Sequence, residues 1–266
     1  MRRRDRPSFV ERGAGDVLVL VPGIQGRWEW MRPAVDALAR RFRVVTFSLL
    51  GEPGAGDEPG DFDDYLGQID AAVGFSGSPR ATICGVSYGG LIALRYAAER
   101  GDRASRLVLV STPSPRWEPD ARVRRYADAP RSSAFAFVAG APRRLVREIA
   151  AAIPGRGRRL AAAGRYLGSI VRNPASPRRM AARVKRIAGR DFAADARIVR
   201  APTLVVTGEP GLDRVVPVAG TLEYLQLIPG SIGVTLERTG HIGLITRPDA
   251  FAEAIHRWAV GAGRSG

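Results

Sequence analysis

Between Asp16 and Pro115 short apolar runs alternate with stretches of helical spacing. Val17-Leu18-Val19-Leu20-Val21 is apolar at every position, as in a strand covered on both faces, and it stops at Pro22-Gly23. From Trp30 to Arg41, Met31, Val35 and Leu38 recur at helical intervals, and Arg43-Val44-Val45-Thr46-Phe47 is the next strand. Residues 51–60 form a Gly/Pro/acidic loop, and Phe62 to Val73 is the next helical stretch. Ala81-Thr82-Ile83-Cys84, Gly89 to Arg100, and Leu107-Val108-Leu109-Val110 repeat the strand, helix, strand order. Such alternation predicts parallel βαβ units with right-handed crossovers and helices on both faces of the sheet.

The pattern breaks at residue 116. Up to residue 195 there is no convincing strand, only short basic helices separated by Pro and Gly. One is well marked, with Ser176 as N-cap, Pro177 at the first helical position and Gly189 as the stop. Its apolar residues Met180, Val184 and Ile187 fall on one helix face; Val146, Ile149, Ala150 and Ile153 repeat that spacing, and both stripes are expected to pack on the sheet. Alternation resumes with Thr203–Thr207 as strand, Val218–Leu227 as helix, Gly233–Leu236 as strand and Pro248–Val260 as a closing amphipathic helix. The expected architecture is α/β, a mostly parallel doubly wound sheet built from 1–115 and 200–266. Residues 116–199 form an all-α insertion covering it as a cap or lid.

Composition sharpens this division. The 266 residues carry a formal net charge of +15, and all of the excess lies in 116–200, with 21 Arg or Lys against 6 Asp or Glu. Lys185 is the single lysine, so the charge is almost wholly arginine. The insert has three readings: first a solvated lid surface, second attraction of anionic substrates into a cleft or of the lid to anionic lipid, and last nucleic-acid binding. No aromatic interleaving or reader motif supports the last, so no nucleic-acid partner is expected. No run approaches the ~18 apolar residues of a membrane span. The basic start, Met1-Arg2-Arg3-Arg4-Asp5-Arg6-Pro7, is followed by no apolar h-region, so no signal peptide is expected. Cys84 is the only cysteine and reads as a small buried hydrophobe, and the expected location is a reducing cytoplasm. His241 and His256 are the only histidines, so no metal site is expected. Asp57, Glu58, Asp61, Asp63 and Asp64 lack EF-hand spacing and read as a solvated loop with a helix cap. Trp28, Trp30 and Trp117 have two readings, the lining of a pocket mouth and, ranked first, core or lid packing. Neither G-x-G-x-x-G nor a P-loop occurs, and no cofactor is expected.

Gly85-Val86-Ser87-Tyr88-Gly89 fits G-x-S-x-G. Its context carries more weight than the pattern, because the motif ends a strand and opens a helix. A turn that tight leaves room only for small residues beside the serine, which Gly85, Gly89 and Gly90 supply. It lifts Ser87 Oγ above the C-terminal edge of the sheet, where open α/β sheets place their sites. On these residues the chain resembles the α/β-hydrolase family over about 15–115 and 200–260. Val21-Pro22-Gly23-Ile24-Gln25-Gly26 resembles that family's H-G-x-x-G loop, with Pro22 where histidine is common. The resemblance implies the backbone N–H groups of Ile24 and Tyr88 as oxyanion donors. Ser48–Gly56 only loosely matches the family's D-x-x-G-x-G-x-S stretch.

Serine needs a base, and imidazole titrates near working pH. His241, in Thr239-Gly240-His241 after a strand, is the loop histidine, whereas His256 sits inside the last helix. The acid is either Asp213 or Glu209. Thr207 to Pro217 resembles the family's G-x-x-D-x-x-x-P with extra residues; side-chain length and the downstream Val215-Val216-Pro217 favour Asp213. The chain order Ser87, Asp213, His241 is the one this fold uses. The resemblance implies a cofactor-independent serine hydrolase acting on a carboxylic ester or related small acyl compound. C–C bond hydrolysis, acyl transfer or perhydrolysis with the same residues, and a non-catalytic ligand-binding module, are the alternatives. Serine rather than aspartate at position 87 argues against the epoxide-hydrolase and haloalkane-dehalogenase branches.

Overall fold

The computed structural model describes residues 8–130 and 145–262. Seven strands form one sheet: β1 (Phe9–Arg12), β2 (Val17–Val21), β3 (Arg43–Phe47), β4 (Ala81–Val86), β5 (Ala104–Val110), β6 (Thr203–Thr207) and β7 (Ile232–Thr235). Their spatial order is β1-β3-β2-β4-β5-β6-β7; β1 runs antiparallel to β3 and every other pairing is parallel. A turn of 3₁₀ helix (Trp28–Met31) leads into α1 (Arg32–Leu38); α2 (Asp64–Phe75) and α3 (Tyr88–Glu99) follow β3 and β4. Between β5 and β6 the described residues hold only helices: α4 (Ala121–Asp128), α5 (145–152), α6 (Arg156–Arg172), α7 (Pro177–Ile187) and α8 (Phe192–Ile198). The chain ends with α9 (Val218–Leu222), α10 (Tyr224–Leu227), α11 (Gly243–Thr246) and α12 (Pro248–Ala262).

The unbroken apolar strands are buried because helices cover both faces. Leu18 and Leu20 point to a layer containing Val35, Leu38, Phe251 and Ile255 from α1 and α12. Val19 and Val21 point to the other layer, with Ile69, Leu91 and Phe192 from α2, α3 and α8. The fold is therefore a doubly wound, mostly parallel α/β sheet. α8, though part of the inserted stretch, packs Phe192 and Ala196 into the sheet's own core.

Local chemistry sets the helix limits. Ser176 Oγ accepts from the Arg179 N–H at 3.4 Å and Pro177 opens α7. The apolar pattern misses β1, a four-residue edge strand with two charged residues; it is held by Phe9 edge-on to Phe47 and by Glu11 pairing Arg43. The stretch 218–227 forms two short helices that meet at Glu223. The stripe from Val146 to Ile153 does not face the sheet: Val146 is exposed, and Ile149 and Ile153 line a cavity. Among the described residues no helix is long and apolar enough to cross a membrane.

Candidate active site

Strand register brings the candidate residues to one edge. Val21 pairs Gly85, Val86 pairs Val110, Val110 pairs Val206 and Thr207 pairs Thr235, so β2, β4, β5, β6 and β7 finish together. Ser87 is the next residue on β4, and its N–H continues the ladder to Val110 O at 2.8 Å. Its φ of 53° and ψ of −120° are strained for a side chain that is not glycine. Surrounding atoms hold it there. A Cβ at Gly85 would meet the Gly89 carbonyl, and one at Gly89 would meet the Pro22 carbonyl, so only glycine lets β2, β4 and α3 converge. Tyr88 is the first residue of α3, where backbone N–H groups have no acceptor within the helix. The 22–26 loop lies alongside, with the Gly23 side of the backbone about a side-chain contact from Ser87 Cβ.

The loops after β6 and β7 touch backbone to backbone. A Cβ at Gly208 would lie 2.6 Å from Gly240 Cα, and Glu209 N–H donates to Thr239 O at 2.8 Å. This contact carries Asp213 to His241, Oδ2 to Nδ1 at 3.3 Å, with both side chains buried. Burial works to raise the Asp213 pKa. The hydrogen bond and charge of His241 and the N–H groups of Val216 and Val215, each 2.9 Å from Oδ1, more than offset this and hold it below the ordinary carboxylate range. Glu209 turns elsewhere: its carboxylate accepts from the Arg238 N–H at 2.6 Å. Of the two acids, the structure brings Asp213 to the histidine. It gives no hydrogen bond between Ser87 and His241; the two residues share the sheet edge, with the ends of β5 and β6 between their strands. His256 lies on α12 against Phe42, away from these loops.

Two charged residues of the inserted helices reach the same loops. Arg183, on α7, is 1% exposed; its guanidinium donates to Ile24 O at 2.9 Å and to Glu52 Oε1 at 2.9 Å, and Glu52 is itself buried. It thus fixes the carbonyl of Ile24 in the 22–26 loop that lies beside Ser87. Glu148, on α5, is fully buried and accepts from the Ile242 N–H at 3.0 Å and 3.2 Å through its two oxygens. Pattern reading passes over both. Arg183 sits within the apolar stripe of Met180, Val184 and Ile187, and a charge inside such a stripe is the signal that could have found it. Glu148 had no comparable signal.

A cavity of about 850 Å³ opens between α5 and α6 on one side and Trp30, α1 and α11 on the other. Ile242, beside His241, is part of its wall, as are Ile149, Ile153 and Tyr166. Arg32, Arg158, Arg165 and Arg172 also line it, and none has a carboxylate in ion-pair reach among the described residues. Its own acids are engaged, Glu29 by Arg27 and Asp36 by Arg12. A smaller cavity of about 480 Å³, between α1 and α12, is lined by Arg40, Arg41, Asp249 and Glu253, which pair with one another. Among the described residues no cluster of His, Cys, Asp and Glu has the make-up of a metal site.

A sheet of this topology, a strained serine at its strand-to-helix turn and a buried Asp–His pair on the same edge define a class of protein. The model of the alpha/beta hydrolase family matches residues 18–254, and the chain belongs to that family. It is 28% identical over 257 residues to the pimeloyl-[acyl-carrier protein] methyl ester esterase of Nitrosomonas europaea, covering 91% of this chain and 95% of that one. Over 114 residues, 41% of this chain and 39% of the other, it is 32% identical to haloalkane dehalogenase 2 of Mycobacterium bovis. Among solved structures, the enol-lactonase of Burkholderia xenovorans superposes with a TM-score of 0.76 at 24% identity, over 95% of this chain and 96% of that one.

Proposed function

We propose that the protein is a serine hydrolase that cleaves a carboxylic ester through an acyl-enzyme, with no cofactor. Ser87 attacks the ester carbonyl, and His241 takes its proton and returns it to the departing alcohol. Asp213 holds the Nδ1–H tautomer and stabilises the imidazolium. The N–H groups of Ile24 and Tyr88 receive the oxyanion, each such donor contributing ~3–4 kcal/mol to barrier lowering in comparable sites. Water then attacks the acyl-enzyme with His241 again as base. One observation carries this reading: the only strained serine at a strand-to-helix turn among the described residues shares a sheet edge with a buried Asp–His pair. Ser111 also has a positive φ, but it ends β5 without opening a helix. Serine at position 87, where a dehalogenase would need a carboxylate, favours esters over haloalkanes. We assign residues 116–199 the role of a cap, anchored to the sheet through α8. Ser87→Ala should fold normally and lose covalent labelling by a fluorophosphonate; labelling that persists in that variant overturns the assignment.

A second feature of the substrate follows from the cavity. Four arginines beside the histidine loop, without counter-charges among the described residues, favour an ester with an anionic group. The similarity to an esterase named for an acyl-carrier-protein ester makes delivery by a carrier protein the reading to set against a small anionic ester.

A further inference from the structure

Glu148 is buried, and among the described residues it has no cation of its own. No arginine or lysine lies in ion-pair reach of it among the described residues, and its carboxylate accepts from the backbone N–H of Ile242, the residue after His241. A charge in such a place is costly unless something compensates it. The titratable groups whose charge reaches it are His241 and Asp213, from the loops after β7 and β6, and Tyr166, from α6. The one group among these that can become a cation is His241. Burial pushes the Glu148 carboxyl up and Asp213 adds to this; the backbone N–H groups of the 240–242 loop and His241 oppose it without reversing the upward direction.

We propose that Glu148 is a positioning residue for His241: a second carboxylate, supplied by the inserted helices, that fixes the 240–242 backbone and stabilises the imidazolium together with Asp213. This rests on the serine-hydrolase reading. When Ser87 gives up its proton, His241 gains the charge and the buried pair of carboxylates then faces a cation. The cap and the histidine are thereby coupled, because α5 carries the carboxylate and the loop carries the base. Glu148 is 94 residues from Ile242 in the chain, so only the folded insertion can make this contact.

The test is Glu148→Gln, which keeps an acceptor for the Ile242 N–H and removes the charge. It is measured by kcat/KM for a short-chain p-nitrophenyl ester from pH 5 to 9 and by thermal unfolding at pH 7. Without the second carboxylate the imidazolium forms less readily. The acid limb of the profile should therefore move down by about one pH unit and kcat should fall about tenfold, while KM and the unfolding temperature hold. Glu148→Asp, which retains the charge on a shorter arm, should restore the acid limb. A profile for Glu148→Gln that superimposes on the wild type overturns the proposal, whatever the absolute rate. If Glu148→Gln does not fold, Glu148→Asp against wild type decides: the retained charge should hold the acid limb in place while kcat falls with the altered grip on the loop, and unchanged kcat overturns the positioning role. Labelling of Ser87 by a fluorophosphonate, measured alongside, separates the two failures. Labelled wild type with an unmoved profile sinks Glu148 alone, and labelling retained by Ser87→Ala sinks the hydrolase reading beneath it.

Discussion

α6 and α7 belong to the same insertion, and each carries five basic side chains, yet their charges do different work. On α7, Arg179 and Arg183 pair with Glu52, Arg179 also with Glu58, and Arg186 donates to Pro59 O at 2.6 Å. Arg190, just past the helix, pairs with Asp61 and Asp63 and lies over the Phe62 ring. The acidic loop that the sequence presents as solvated is thus the counter-charge of α7. On α6 no residue is buried, Arg159 caps the carbonyls of Ala150 and Ile153, and Arg156, Arg158, Arg165 and Arg172 have no carboxylate in reach among the described residues. Arg158, Arg165 and Arg172 are seven residues apart, so they share one face of the helix, the one that lines the cavity. The same number of basic side chains therefore means docking where acids stand opposite, and a basic cavity wall without carboxylate partners among the described residues where they do not.

The largest effect is expected from breaking the docked side. Arg183→Ala leaves Glu52 buried without its close partner, and removing one member of such a pair costs about 3–5 kcal/mol. Urea denaturation should show that loss, and ester turnover should fall with it because Ile24 O loses its donor. A change under about 1 kcal/mol would mean that α7 docks through its apolar face alone. The cavity side should respond in binding rather than stability. Replacing Arg158, Arg165 and Arg172 together with Glu should raise KM about tenfold for an ester bearing a carboxylate or phosphate, leave a neutral ester unaffected and weaken the salt dependence. Equal losses for both esters would remove the stripe from the substrate path. If turnover of a carrier-protein ester collapses while that of the small anionic ester persists, the carrier reading is the better one. The smallest effect separates the helix ends: Ser176→Ala, which deletes the N-cap of α7, should cost about 1 kcal/mol in the same denaturation. α6 starts at Gly155 without a side-chain cap and has no such contribution to lose.

Much of the site was legible because it is local. The elbow at Ser87 is written in five consecutive residues, since the turn admits only glycine around it. The ends of β4, β6 and β7 are visible as apolar runs, so the sequence alone places Ser87, Asp213 and His241 in the segments that follow strands. The choice of Asp213 over Glu209 was only favoured by pattern, because both lie in the same short loop. The Gly208–Gly240 contact between the two loops brings the Asp213 carboxylate to the imidazole and leaves that of Glu209 on the Arg238 N–H. β1 was illegible because a four-residue edge strand gains its stability from its neighbour and has little pattern of its own.

By itself the sequence determined the alternation of strands and helices, the turn at Ser87, the two candidate bases and the concentration of arginine in one inserted stretch. These follow from side-chain period, backbone sterics and charge count, which act over a few residues. Tertiary structure alone decided which arginines are neutralised, that Arg183 holds Ile24 across 159 positions of chain, and that Glu148 reaches the histidine loop. A buried charge is stable only beside its partner, and the identity of that partner is fixed by packing between segments far apart in the chain.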